Sequence, residues 1–199
     1  MLTQAQVWQT TVAQLATDTG CPEAAFTSGR LTITQNPLLP GRRMDQKNDA
    51  FLKSISMAGG GVISCADAAM TAECAEAFAA TRHDLLFDAP GLRTISGLIS
   101  PKGYIISRLR LFYLPRLGAV PPERSALPLR VLQQRELETY RGDTRSTDAL
   151  TFNPNAPEVM AVAALDNHGS AGMAGASGDT AEMWQIGINV LPQYRGKGL

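Results

Sequence analysis

The chain has 199 residues, 44% of them apolar, with 18 basic and 18 acidic side chains that cancel, so it can bury a sizeable core as one large domain or two small ones. A neutral chain has no global field to draw it onto DNA, RNA or an anionic membrane, and any polyanion must be met by a local pocket. No apolar run approaches the roughly 20 residues a membrane helix needs, and Met1-Leu-Thr-Gln-Ala-Gln lacks the basic start and apolar stretch of a signal peptide.

In chain order, residues 3 to 19 predict an amphipathic helix. Thr3-x-x-Gln6 is a capping box, Trp8, Val12 and Leu15 share a face, and Gly20 stands where a left-handed C-terminal cap belongs. Leu31 to Thr34 alternates like a short strand, and Asn36-Pro-Leu-Leu-Pro-Gly41 is a turn-rich connector. A helix is expected from Gln46 to Met57, then a glycine turn and a short strand from Val62 to Cys65. Asp67 caps a second helix, 68 to about 82, with Met70, Cys74, Ala77 and Phe78 on one face. Leu92 to Ile99 fits helix or strand. Tyr104 to Leu114 reads as a long alternating strand. Pro115 to Pro128 holds four prolines and is the best linker in the chain. Beyond it come a strand at Leu129 to Leu132 and a helix from Gln134 to Arg141 ended by Gly142. Strands at Val159 to Leu165 and Ser170 to Ser177 follow, joined by the tight turn Asp166-Asn-His-Gly169. The expected organisation is therefore an α/β region over 1–128 and an antiparallel meander over 129–199.

Most chemistry-bearing residues have bland readings. Gly59 to Gly61 precede a strand instead of following one, so they read as a turn and not as a dinucleotide loop. Cys65, Cys74 and His83 match no zinc spacing, and Cys74 falls on an apolar helix face, so no metal site is expected. Three cysteines at unrelated spacings argue against a disulfide framework and for a reducing cytoplasm. Arg108 and Arg110 read as a solvated face, with the lining of an acceptor pocket as the alternative, and Tyr140 and Arg141 are available to touch a substrate.

The strongest chemical signal is the last stretch, Trp184-Gln-Ile-Gly-Ile-Asn-Val-Leu-Pro-Gln-Tyr-Arg-Gly-Lys-Gly-Leu199. Ile186, Ile188 and Val190 recur at period two, and Pro192 closes the strand because it cannot donate a ladder hydrogen bond. Gln193-Tyr194-Arg195-Gly196-Lys197-Gly198 then offers backbone N–H groups with two cations among the glycines, a composition suited to an anion.

A strand followed by Q/R-x-x-G-x-G/A resembles the central motif of the GNAT superfamily of acyl-CoA-dependent N-acetyltransferases. Gly172-Met-Ala-Gly-Ala-Ser177 and Met183 onward are very like a bacterial group of that superfamily with an extra N-terminal region. The resemblance covers about Val159 to Leu199 and extends more weakly back to Leu129. It implies a partial GNAT fold in which backbone groups near Ile188 and Val190 bond the pantetheine arm of acetyl-CoA. It further implies that amides from Gln193 to Gly198 hold the pyrophosphate, with Arg195 and Lys197 adding charge. Glu182 stands 14 residues before the first loop glycine, where some of these enzymes carry the general base that deprotonates the attacking amine. The family's next helix and later strands are not among the 199 residues, so a longer parent protein is expected. The leading reading is acetyl transfer from acetyl-CoA to an amine. The alternatives are a non-catalytic acyl-CoA-binding or regulatory module, and a structural fragment whose terminal strand pairs with another chain, as in a homodimer.

Overall fold

The computed structural model describes residues 2–37, 39–43, 51–111, 114, 116–118, 125 and 127–198. Helices and strands are mixed, an α/β protein, and the chain divides into two compact units, Met1–Leu117 and Gly118–Leu199. The division falls inside the proline-rich segment.

In the first unit, strands β1 (Leu31–Gln35), β2 (Leu52–Met57) and β3 (Gly60–Cys65) form a sheet in the order β1-β3-β2. β3 is parallel to β1 and antiparallel to β2. Every residue of β3 is buried because both sheet faces are covered. Val62 with Ile55 and Met57 packs on helix α1 (Gln4–Thr19) through Val12, Leu15 and Ala16. Ile63 and Cys65 pack on helices α2 (Ala68–Ala77) and α3 (Ala89–Ile99) through Met70, Cys74, Ile95 and Ile99. Period-two alternation along one strand thus feeds two cores.

The capping box of α1 forms as expected, and Gly20 is left-handed at φ 67°. A Cβ at Gly20 would lie 2.0 Å from Pro37 Cδ, so the position demands glycine twice over. Asp67 caps α2 by accepting from the Met70 N–H at 2.7 Å, but the helix ends at Ala77, short of residue 82. Leu92 to Ile99 resolves as helix, inside α3, with Pro90 in its first turn.

Two expectations fail here. Of the helix expected from Gln46 to Met57, residues 46–50 lie outside the described residues, and 52–57 are strand β2. The Ala58-Gly59 turn lets Leu52–Met57 pair residue for residue with Gly60–Cys65, and that ladder overrides helical spacing. The strand expected from Tyr104 to Leu114 is not formed over 104–111. Residues 112 and 113 lie outside the described residues, and Ile105 and Leu111 are 80% and 81% exposed; no described strand pairs with this stretch, and strand propensity without a ladder partner gives no strand. Among the described residues of that stretch, Tyr104 is stacked on Phe51 with ring centres 4.2 Å apart.

The second unit is a four-stranded antiparallel sheet in the order β4 (Leu129–Gln133), β5 (Glu158–Asp166), β6 (Gly169–Gly178), β7 (Trp184–Val190). The expected helix after β4 is a short turn α4 (Gln134–Leu137) that tightens into a 3-10 turn over Glu138–Tyr140. One sheet face, with Leu132, Ala161, Ala163 and Met173, is buried under Leu137, Ala149 and Leu150. The segment around Asp148 and Ala149 lies so close that a Cβ at Gly187 would sit 1.9 Å from the Asp148 carbonyl, and one at Gly175 2.0 Å from that of Ala149. Asn189 holds this strap, its Oδ1 accepting from the Asp148 and Ala149 N–H groups at 2.6 Å each. The opposite face is open, and Leu129, Val131, Trp184, Ile186 and Ile188 are all more than half exposed.

Candidate cofactor site

β7 is the outer strand of its sheet, and its register fixes which backbone groups it leaves unused. Leu191 donates to the directly opposite Ala171 carbonyl at 3.0 Å, which makes 171–191 a hydrogen-bonded pair. Antiparallel pairs alternate, so Gln185, Gly187 and Asn189 bond to β6, while the N–H and C=O groups of Trp184, Ile186, Ile188 and Val190 point to the other edge. No described strand pairs with that edge. Ile188 and Val190, singled out from the sequence, are therefore on the side where an extended ligand adds like another strand. The Val190 carbonyl is the exception, since it accepts from Arg195 Nε at 3.0 Å. Their side chains lie on the open apolar face.

After β7 the chain turns through a 3-10 turn, Pro192–Tyr194. Tyr194 and Arg195 donate their N–H groups to the Leu191 and Pro192 carbonyls at 2.9 and 3.3 Å. The turn thus consumes two of the amides expected, from Gln193 to Gly198, to face a pyrophosphate. Beyond them, the N–H groups of Gly196, Lys197 and Gly198 make no hydrogen bond among the described residues. Gly196 and Gly198 are left-handed at φ 73° and 70°, with open space where a Cβ would stand, so the backbone conformation selects glycine there and crowding does not.

Arg195 and Lys197 have no acidic partner among the described residues. Lys197 Nζ lies 5.5 Å from the centre of the Tyr194 ring. The Tyr194 hydroxyl donates to Asp166 Oδ2, reaching from the loop to the β5–β6 turn. Asp166 Oδ1 accepts from the His168 N–H at 2.7 Å. The Tyr194 hydroxyl, followed by these turn amides, holds the Asp166 carboxyl below its usual range, and the carboxylate raises Tyr194 in return. Sequence reasoning took Asp166 for a turn residue only, since nothing in the spacing of 166 and 194 links them.

Glu182 is exposed in the turn that precedes β7 and lies two residues before the strand begins. Its N–H donates to Thr180 Oγ1 at 3.4 Å, and its carboxylate has no partner among the described residues. At about 3.4 Å per residue, the seven residues of β7 hold Glu182 roughly 25 Å from the loop.

Tyr140 is elsewhere. With Arg130, Leu132, Arg135, Glu136 and Thr139 it lines an open cavity of about 490 Å³ on β4, the opposite edge of the sheet and roughly 14 Å from β7 at the usual strand spacing. There the Gln133 N–H and then the Arg130 guanidinium hold Glu136 below the usual carboxylate range. Arg141 pairs with Glu138 at 2.8 Å and lies 4.3 Å from the centre of the Phe152 ring, which accounts for it structurally. Cys65 and Cys74 are core thiols with no exposed surface. Each is shifted chiefly by the other, Cys65 downward as it accepts the Cys74 S–H, and Cys74 upward.

Compared with family models, with curated proteins and with solved structures, the chain matches none at a significant level.

Proposed function

We propose that the second unit binds acetyl-CoA along β7 and the loop after it, as the cofactor-binding part of a GNAT-like N-acetyltransferase. The observation that carries the reading is a row of unused donors in two parts, divided by the turn. The outward amides of Ile186, Ile188 and Val190 come first, and those of Gly196, Lys197 and Gly198 follow, with two cations that have no acidic partner among the described residues. A pantetheine arm carries amides that bond an extended strand, and a pyrophosphate has many acceptor oxygens and no donor. The order of the row suits the order of the ligand: amide arm, then diphosphate. The resemblance of Gln193 to Gly198 to the GNAT motif points the same way.

In this reading the acyl end lies toward the start of β7, on the side of Glu182. That carboxylate then takes a proton from the acceptor amine, directly or through water, so that the neutral amine attacks the thioester carbonyl and coenzyme A leaves as the thiol. The acceptor is an amine of a class the site does not specify. Three free cysteines fit a cytoplasmic setting for such chemistry. No described helix is long and apolar enough to cross a membrane.

Calorimetric titration with acetyl-CoA tests the binding claim, and heat that does not saturate overturns it. Glu182→Gln separates enzyme from binding module. Acetyl transfer to an amine panel falls at least about a hundredfold with binding unchanged if Glu182 is the base. A variant that turns over like the parent removes Glu182 from the chemistry, and a parent with binding but no transfer favours the module.

A further inference from the structure

Besides the Arg195 bond back to the Val190 carbonyl of its own strand, the loop that carries the candidate cradle is tied to the sheet by a side-chain contact between Tyr194 and Asp166. We infer that this pair is the positioning latch of the cradle, an inference that rests on the acetyl-CoA reading above. β7 ends beside the start of β6, with Leu191 bonded to Ala171, so the chain leaves the sheet next to the β5–β6 turn. From there nothing in the backbone beyond Arg195 is bonded among the described residues. The Tyr194 hydroxyl reaches sideways across the end of β6 to Asp166 Oδ2, and Asp166 is itself held by the His168 N–H on its other oxygen. The acceptor of the latch is thus part of a tight two-residue hairpin, and the donor sits two residues before the free amides that begin at Gly196.

The contact has two consequences for an incoming diphosphate. It fixes the direction in which the glycine amides leave the 3-10 turn, so their ordering is already met before the ligand arrives. It also engages the Asp166 charge with a hydroxyl donor, leaving Arg195 and Lys197 as the loop cations that face the anion without a carboxylate partner. The Tyr194 ring carries Lys197 above it, so the same side chain that latches the loop supports one of the cations.

The test compares ligands with and without the diphosphate. Tyr194→Phe keeps the ring and removes only the donor, and Asp166→Ala removes the acceptor. Each weakens acetyl-CoA and inorganic pyrophosphate by about three- to tenfold, as expected of one hydrogen bond to a charged group near solvent. The double variant loses no more than either single one, because both remove the same contact. Acetyl-pantetheine, which has no diphosphate, competes equally well with all forms. Equal weakening of acetyl-pantetheine overturns the latch as a cradle device, and so do additive losses in the double variant or affinities that do not change. If the parent chain binds neither acetyl-CoA nor pyrophosphate, the acetyl-CoA reading itself falls, an outcome distinct from failure of the latch.

Discussion

Asp18 has no exposed surface, and it accepts from the Arg43 N–H and Nε at 2.8 and 2.5 Å and from Gln14 Nε2 at 3.0 Å. Removing one partner of a buried pair leaves the other uncompensated. Asp18→Ala should therefore cost the first unit about 3–5 kcal/mol, read by urea unfolding followed through Trp8 with Trp184 replaced by Phe. Gly175 and Gly187 make a steric prediction of the opposite kind. Each lies under a strap carbonyl about 2 Å from where a Cβ would be, so either glycine changed to Ala pushes the strap outward. The expected loss is about 2–3 kcal/mol, read through Trp184 with Trp8 replaced by Phe. Gly196 and Gly198 have open space instead, and alanine there meets only the left-handed backbone cost of about 1 kcal/mol. The same residue type thus carries different constraints at positions that look alike in the sequence.

At the scale of elements, what was legible followed from local chemistry. The Thr3 to Gln6 capping box, the Asp67 cap and the Asp166 to Gly169 turn each place their own hydrogen bonds, and the elements they bound appear. Over residues 52–57 the expected helix misled because Leu52 to Met57 carries apolar residues at spacings that serve either period. The deciding contact is the pairing with Gly60 to Cys65, which no local pattern encodes. The stretch 104–111 erred the other way, with strand composition and no described strand paired to it. β7 was legible as a strand, but its exposure was not. Ile186 and Ile188 are apolar and yet 59% and 63% exposed, since whether a face is covered depends on the rest of the molecule. The candidate site was half legible. The cradle glycines and cations are contiguous in sequence, whereas the Tyr194–Asp166 contact joins residues 28 apart and the Asn189 clamp joins residues about 40 apart.

Across the whole molecule, the second unit makes the clearer prediction for acid. Among the described residues, Glu136, Glu138, Asp143 and Asp166 in that unit are all held below their ordinary range. Their first causes are the Gln133 N–H, Arg141, Arg145 and Tyr194 respectively. A carboxyl lowered in the folded state contributes stability above its unfolded value, near pH 4, and loses it as the pH falls through the folded value. The second unit should therefore lose stability between about pH 5 and pH 2. These groups sit near solvent, so the loss should shrink in high salt. Unfolding followed through Trp184 with Trp8 replaced by Phe checks this, and a stability that does not change over that range would refute it.

The central claim is that the edge of β7 and the loop after it form one acetyl-CoA site, and backbone amide NMR during titration addresses it residue by residue. On adding acetyl-CoA, the account predicts saturable shifts at Ile186, Ile188, Val190, Gly196, Lys197 and Gly198, with the Gly175 amide, bonded within the sheet, little changed. Shifts that never saturate, or that gather on the β4 cavity around Arg130 and Tyr140 instead, would contradict it.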